Sequence, residues 1–167
     1  MKWTPLNFGK YKGKTLPQVM FKDPDWFFDG HEKGYFKNTL PLEAIEIYRR
    51  ARSIRVPHQN GQKMLVEYII HKPNGKFGTM HLIKAAPGLQ HLYVSPVIDF
   101  YVPKAYGYYD KTGYKNFVHA LKGILFGNNS RRMSRKACEE FFSDDDNFDL
   151  AYAARTFPSR YGGLLAF

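Results

Sequence analysis

The sequence predicts an α+β fold, and three observations carry that prediction. A Gly/Lys-rich turn followed by helical periodicity occupies residues 1–57. Alternating apolar and polar residues then surround an Asn-Gly pair. Two apolar stripes at three- and four-residue spacing close the chain. The expected organisation is an N-terminal hairpin-plus-helices module over 1–57, an antiparallel sheet followed by two helices over 62–150, and a tail of undetermined order over 151–167. Pro57 to Gly61 is the linker that the Pro, Asn and Gly content marks.

Trp3 to Phe8 reads as a short strand, and Gly9-Lys10-Tyr11-Lys12-Gly13-Lys14 as a tight turn. Thr15 is placed to cap a short helix with Pro17 in its first turn and Leu16, Val19 and Met20 on its buried face. Asp23-Pro24 restarts the chain, with Asp23 or Asp25 capping a helix that holds Trp26, Phe27 and Phe28. Pro41 opens a third helix, whose apolar spacing runs through Leu42, Ile45, Tyr48 and Arg49. Arg49, Arg50, Arg52 and Arg55 gather toward its end, where cations suit the helix dipole.

After the linker the period changes to two. Met64, Val66, Tyr68 and Ile70 face one way, and Leu65, Glu67, Ile69 and His71 the other. Asn74-Gly75 predicts a hairpin turn, returning through Phe77, Thr79, His81 and Ile83. Further strands are expected near His91 to Val94 and from Val97 to Val102. Asp110 to Gly113 closes another hairpin or caps a helix with Asp110 or Thr112. Phe117, Val118, Leu121, Ile124 and Leu125 form the next stripe, which Gly127-Asn128-Asn129 ends. Ser130 is the expected cap of a last helix, striped by Met133, Ala137, Cys138, Phe141 and Phe142.

Composition narrows the partner. The chain has 167 residues, 44% hydrophobic and 17% aromatic, enough to fill a packed core. Lys and Arg number 25 against 15 Asp and Glu, a formal charge of +10. Such a surplus concentrates polyanions near the surface, so nucleic acid is the expected partner. Cys138 is the single cysteine, which excludes an internal disulfide and a multi-thiolate zinc site. No apolar run of bilayer-spanning length and no leader-like opening is present, so a cytoplasmic location is expected, with no membrane partner.

Phe8-Gly9-Lys10-Tyr11-Lys12-Gly13-Lys14-Thr15-Leu16, with Val19, Asp23, Pro24 and Trp26-Phe27 after it, resembles the small C-terminal module of bacterial exonuclease X. That module also occurs in other DNA-processing proteins and as stand-alone phage or plasmid proteins. The resemblance covers residues 6–55 at most, and it departs at Met20-Phe21 and Phe28-Asp29-Gly30, where the family helix is more polar. It implies an accessory role beside nucleic acid. The acidic metal ligands of the nuclease lie in a domain without a counterpart here, so no catalytic residue carries over.

The candidate nucleic-acid contacts follow from charge and turn chemistry. Lys10, Lys12 and Lys14 alternate in a Gly-bounded turn and, if extended, project from one face, with Tyr11 opposite against Trp3 or Trp26. Arg49, Arg50, Arg52 and Arg55 form a second set. Arg131, Arg132, Arg135 and Lys136 form a third, at the start of a helix that Glu139, Glu140 and Asp144 to Asp146 end. That order opposes the dipole, which is explained by binding or by i,i+4 pairing within the helix. Lys104, Tyr106, Tyr108, Tyr109, Lys111, Tyr114 and Lys115 interleave rings and cations, suited to base stacking or to a strand with alternate tyrosines in the core.

His31, His58, His71, His81, His91 and His119 lack close metal-site spacing, although His71 and His81 flank the Asn74-Gly75 turn and are candidates to face each other across it. Asp23, Asp25 and Asp29 cluster where capping explains two of them, and no Asp or Glu has Lys two residues later, as a restriction-type nuclease requires. No cofactor motif is present. The expectation is a non-catalytic, phosphate-gripping DNA-binding accessory protein of phage or mobile-element type. A metal-dependent nuclease and a protein-interaction module, inhibitor or adaptor, are the alternatives.

Overall fold

The structure, a computed structural model, describes residues 2–89, 93–107 and 110–157. It is an α+β fold in which helices surround two small antiparallel sheets. Trp3 to Phe8 is not a strand but an irregular segment tied to the turn that follows. The Leu6 N–H donates to the Lys14 carbonyl at 2.9 Å and the Gly13 N–H to the Leu6 carbonyl at 2.8 Å. Gly9 and Gly13 sit at φ +74° and +88°, the left-handed region open to glycine. A Cβ on Gly9 would also come 3.2 Å from the Trp26 ring.

The helices that follow begin where their caps dictate. In α1 (Leu16–Lys22), Thr15 and Gln18 form a capping box. In α2 (Pro24–Glu32), Asp23 accepts from the Trp26 N–H at 3.1 Å. Helix α3 (Pro41–Ala51) buries Ala44, Ile47, Arg50 and Ala51, while Leu42 is 58% exposed. The buried stripe is therefore rotated from the expected Leu42–Ile45–Tyr48–Arg49 line. Small Ala44 and Ala51 on either side of Ile47 let α3 pack closely against α1.

Ile54–Arg55 (β1) pairs antiparallel with Val97–Ile98 (β5). Met64–His71 (β2) is the centre of the second sheet, between Lys76–Lys84 (β3) and Val94–Ser95 (β4). Met64, Val66 and Tyr68 are buried, as their alternation predicts. The return strand differs: its register skips a residue opposite Ile69 and Ile70, so Met80 rather than Thr79 joins Phe77 in the core. Gly78 occupies the bulge, where a Cβ would lie 3.2 Å from the Ile69 carbonyl oxygen. The register also separates the two histidines. His71 faces Lys76, and His81 faces Glu67, whose carboxylate it meets at 3.1 Å.

Of the strand expected near His91 to Val94, residues 91 and 92 lie outside the described residues. The strand expected to run to Val102 stops at Ile98. The Asp99 carboxylate accepts from the Tyr101 N–H at 2.8 Å and turns the chain into α4 (Val102–Gly107), with Pro103 near its start. Asp110 then caps α5 (Lys111–Phe126) by accepting from the Thr112 N–H at 3.1 Å, and left-handed Gly127 ends it. The last long helix starts later than Ser130 predicts. The Asn128 side chain accepts from the Ser130 N–H at 3.0 Å and closes a turn, leaving Ser134 to cap α6 (Arg135–Ser143) through the Ala137 N–H. A 3-10 turn (Asp145–Asn147) and α7 (Leu150–Thr156) follow, and residues 158–167 of the expected tail lie outside the described residues.

One apolar cluster runs from Trp3 to Phe148 without a break at Pro57–Gly61. Its centre is a group of phenylalanines: Phe21 meets Phe100, Phe141 and Phe142 edge to face, and Phe100 packs on Phe117. These rings come from the N-terminal helices, from the chain after β5, and from α5 and α6. Burying each contributes about 1.5–3 kcal/mol, so the segments stabilise one another.

Candidate functional site

The arginines that end α3 are largely engaged inside the protein. Arg50 is 6% exposed. Its guanidinium pairs with Glu46, meets Asp145 at 2.6 Å and donates to the Phe142 carbonyl at 3.2 Å. Arg52 grips both oxygens of Asp99 and lies 4.4 Å from the ring centroids of both Tyr101 and Phe157. Burial pushes the Asp99 carboxyl up to about 6, with Arg52 pulling it back down. Arg55 is exposed but donates to the Phe148 carbonyl at 3.0 Å. Arg49 is half-buried, with its Nε unpartnered and out of contact with solvent. The run ties α3 to the C-terminal third, and Arg55 alone of the four is exposed.

The turn lysines do not form an extended row, because the two left-handed glycines curl the chain. Lys10 reaches back to Asp23 at 3.3 Å, and Lys12 is exposed. Tyr11 is buried, donates to Asp23 at 2.6 Å and sets its ring edge to face on Trp26, the second of its two expected neighbours. Lys10 and Lys22 both lie against the Tyr11 ring, at 5.2 and 5.9 Å.

Lys14 is half-buried in the turn that leads into α1. Its ammonium and that of Lys122 on α5 both pull down the pKa of the buried Cys138 thiol. Burial, the largest influence, and Glu139 outweigh them and push the thiol up to about 12. Lys122 in turn donates to the Arg131 carbonyl at 2.9 Å. The Arg131 guanidinium lies 4.3 Å from the centroid of the Phe126 ring. Packing of α1 on α6 and α5, and the Trp3 indole N–H donating to Ser143 at 2.9 Å, hold the two regions together. Basic groups distant in sequence thus meet in two places: Lys10 and Lys22 at the Tyr11 ring, and Lys122 and Arg131 between α5 and α6.

The third expected set divides. Arg131 and Arg132 precede α6, so Arg131 and Arg135 do not share a helical face. Arg135 pairs with Glu139 at 2.9 Å and Lys136 with Glu140 at 3.7 Å, each one helical turn on. Arg131 and Arg132 are exposed and have no acidic partner among the described residues. Lys22, which joins Lys10 at the Tyr11 ring, and Lys122, which joins Arg131, carried no sequence signal. Lys22 is the one cation of α1 and Lys122 shares α5 with Lys111 and Lys115, and only packing brings each to its basic neighbour.

Compared with family models, curated proteins and solved structures, the chain matches none.

The described part of the Tyr/Lys-rich stretch is helical rather than a strand. Lys104 and Tyr106 belong to α4, Lys111, Tyr114 and Lys115 to α5, and Tyr108 and Tyr109 lie outside the described residues. Tyr114 is buried, and Lys104 is held by Glu32 at 3.2 Å.

Four aspartates serve as caps: Asp23, Asp110, Asp144 and Asp149 each accept from a backbone N–H at a helix start. Among the described residues no group of His, Cys, Asp and Glu is placed to hold a metal ion. Asp25 differs from the caps. It is fully buried, accepts from the Asp110 N–H at 3.2 Å through Oδ2, and leaves Oδ1 unpartnered. Burial above all pushes its carboxyl up to about 7. No described helix is long and apolar enough to cross a membrane.

Proposed function

We propose that this chain is a non-catalytic nucleic-acid-binding accessory protein of phage or mobile-element type. DNA is its partner, held mainly through phosphate, and the cytoplasm is its place. The observation that carries the reading is the meeting of Lys122 and Arg131, the Lys122 ammonium 2.9 Å from the Arg131 carbonyl, next to the exposed Arg132, while Lys10 and Lys22 gather separately at the Tyr11 ring. The nearest acids oppose it little: Asp23 is buried, and Glu139 is engaged by Arg135. The +10 charge supplies long-range attraction. The resemblance of residues 6–55 to the exonuclease X C-terminal module points the same way.

The test is fluorescence anisotropy with labelled DNA over several salt concentrations, with and without magnesium, followed by a gel of the same samples. If about five phosphates are neutralised, log affinity falls with log salt at a slope near −4 to −5. Intact oligonucleotide with that slope bears the reading out. Degradation only with magnesium replaces it with a nuclease, and no binding at low salt leaves a protein-interaction module.

A further inference from the structure

The Gly/Lys turn rests on aromatic rings that reach solvent. Gly9 has no side chain, and a Cβ there would come 3.2 Å from the Trp26 ring, so the turn backbone lies directly against the indole. Trp26 and Phe8 are only half-buried, with ring centroids 6.4 Å apart. Both pack at 6.0 Å on Phe36, which is buried and supports them. Gly30 lies one helical turn beyond Trp26, on the same face of α2. The Tyr35 ring occupies the space that a side chain on Gly30 would need, 2.8 Å from its Cβ position, and Phe36 is 3.4 Å from the same point. Tyr35 is 45% exposed. Phe8, Trp26 and Tyr35 therefore follow one another as accessible rings around Phe36.

Cations stand at the turn end of this row. Lys10 and Lys22 lie 5.2 and 5.9 Å from the centroid of the Tyr11 ring, and that ring meets Trp26 edge to face at 5.2 Å. Lys10 stays exposed although it reaches Asp23, and exposed Lys22 pairs with no acid among the described residues. Gly9 and Lys10 are exposed, and their N–H groups donate to no acceptor among the described residues. Turn N–H groups beside ammonium groups suit phosphate oxygens. A duplex keeps its base faces inside its own stack, whereas an unpaired base offers its face to a protein ring. Rings for bases beside cations for the backbone are the means by which single strands are held.

We infer that this row binds single-stranded nucleic acid, with bases stacked on Phe8, Trp26 and Tyr35 and phosphates on Lys10, Lys22 and the turn N–H groups. The inference rests on the nucleic-acid reading above and names the strand form and its contacts.

The experiment uses the full chain at low salt and DNA probes of one length: a single strand, the same strand annealed as a duplex, and a single strand of abasic residues. Binding is followed by anisotropy and by tryptophan emission. The chain has two tryptophans, and Trp3 is 3% exposed with its indole N–H bound to Ser143, so quenching reports Trp26. The single strand should bind at least about fivefold tighter than the abasic strand and should quench the emission, which the duplex and the abasic strand leave unchanged. Tyr35→Ala, at an exposed position, and Phe8→Leu should each narrow that preference about three- to tenfold without changing abasic binding. Lys10→Gln/Lys22→Gln should weaken both strands alike. Equal affinity for the base-bearing and abasic strands, binding without a change in emission, or tighter binding of the duplex overturns the inference and leaves the nucleic-acid reading standing. Absence of binding to every probe defeats the nucleic-acid reading itself. Circular dichroism of the variants confirms that the fold is intact.

Discussion

Lys14, in the turn before α1, and Lys122, on α5, act on the same buried thiol, that of Cys138. The thiol is 1% exposed, and burial holds it mostly protonated, up to about 12. Because thiolate is the reactive form, the native protein should react with Ellman's reagent far more slowly at pH 8 than the denatured chain. Lys14→Gln should slow it further, since a cation that favours thiolate is lost. Fast stoichiometric labelling of native protein would contradict the packing of α6 on α1.

Arg50 joins α3 to the C-terminal third through Asp145 and the Phe142 carbonyl. Asp145 is 71% exposed at its side chain, so that ion pair is screened. The larger loss in Arg50→Ala is the buried stem and the orphaned carbonyl. Urea unfolding should show a destabilisation of about 2–4 kcal/mol. Lys replaces the charge but not the planar fork, so Arg50→Lys should recover little of it. Arg132→Ala, at an exposed position, should stay within about 0.5 kcal/mol of the parent.

Asp25 supplies a pH dependence whose sign follows from its raised pKa. Its carboxyl moves from 3.8 to about 7 in the fold, through burial first and also through Asp23 and Asp110, against the Asp110 N–H and Lys104. The folded state holds the proton that the unfolded chain releases, so this group lowers stability as pH rises from about 4 to about 7, and no further above. Asp25→Asn, which resembles the neutral acid, should remove that fall. Relative to the parent it should gain on the order of 2–4 kcal/mol across the window. Parallel unfolding curves for the two proteins between pH 4 and 8 would contradict this placement.

Gly9 faces two constraints at once, its φ of +74° and the Trp26 ring. Gly9→Ala should cost about 1–2 kcal/mol from the left-handed backbone alone, and it should shift tryptophan emission as Trp26 moves. Gly61→Ala shares the positive φ but meets no atom within 4 Å, so it should cost the backbone term without the spectral change.

Local chemistry was legible wherever neighbouring residues decide the outcome. Asn74-Gly75 turns between β2 and β3, Asp23 and Asp110 cap their helices, and Gly127 ends α5, because each effect acts within a few residues. Legibility failed where two local signals competed. The tyrosines after Val97 favour a strand, yet the Asp99 side chain captures the Tyr101 N–H and starts α4. Ser130 and Ser134 are equally good caps by type, and the Asn128 side chain decides between them. The bulge at Gly78 exchanges Thr79 for Met80 in the core, a shift that strict alternation does not anticipate.

The candidate face shows the same division. Sequence alone determined the charge excess, the Gly/Lys turn, the starts of α1, α2, α3 and α5 and the central hairpin, since composition is additive and caps and turns are short-range. Only the tertiary structure decided which cations face solvent together. Arg50 and Arg52 left the candidate surface because distant carboxylates, Asp145 and Asp99, meet them. Lys22 met Lys10, and Lys122 met Arg131, because phenylalanines spread along the chain share one core. Charge is a property of each residue, but its availability depends on which partners the burial of apolar surface brings within reach.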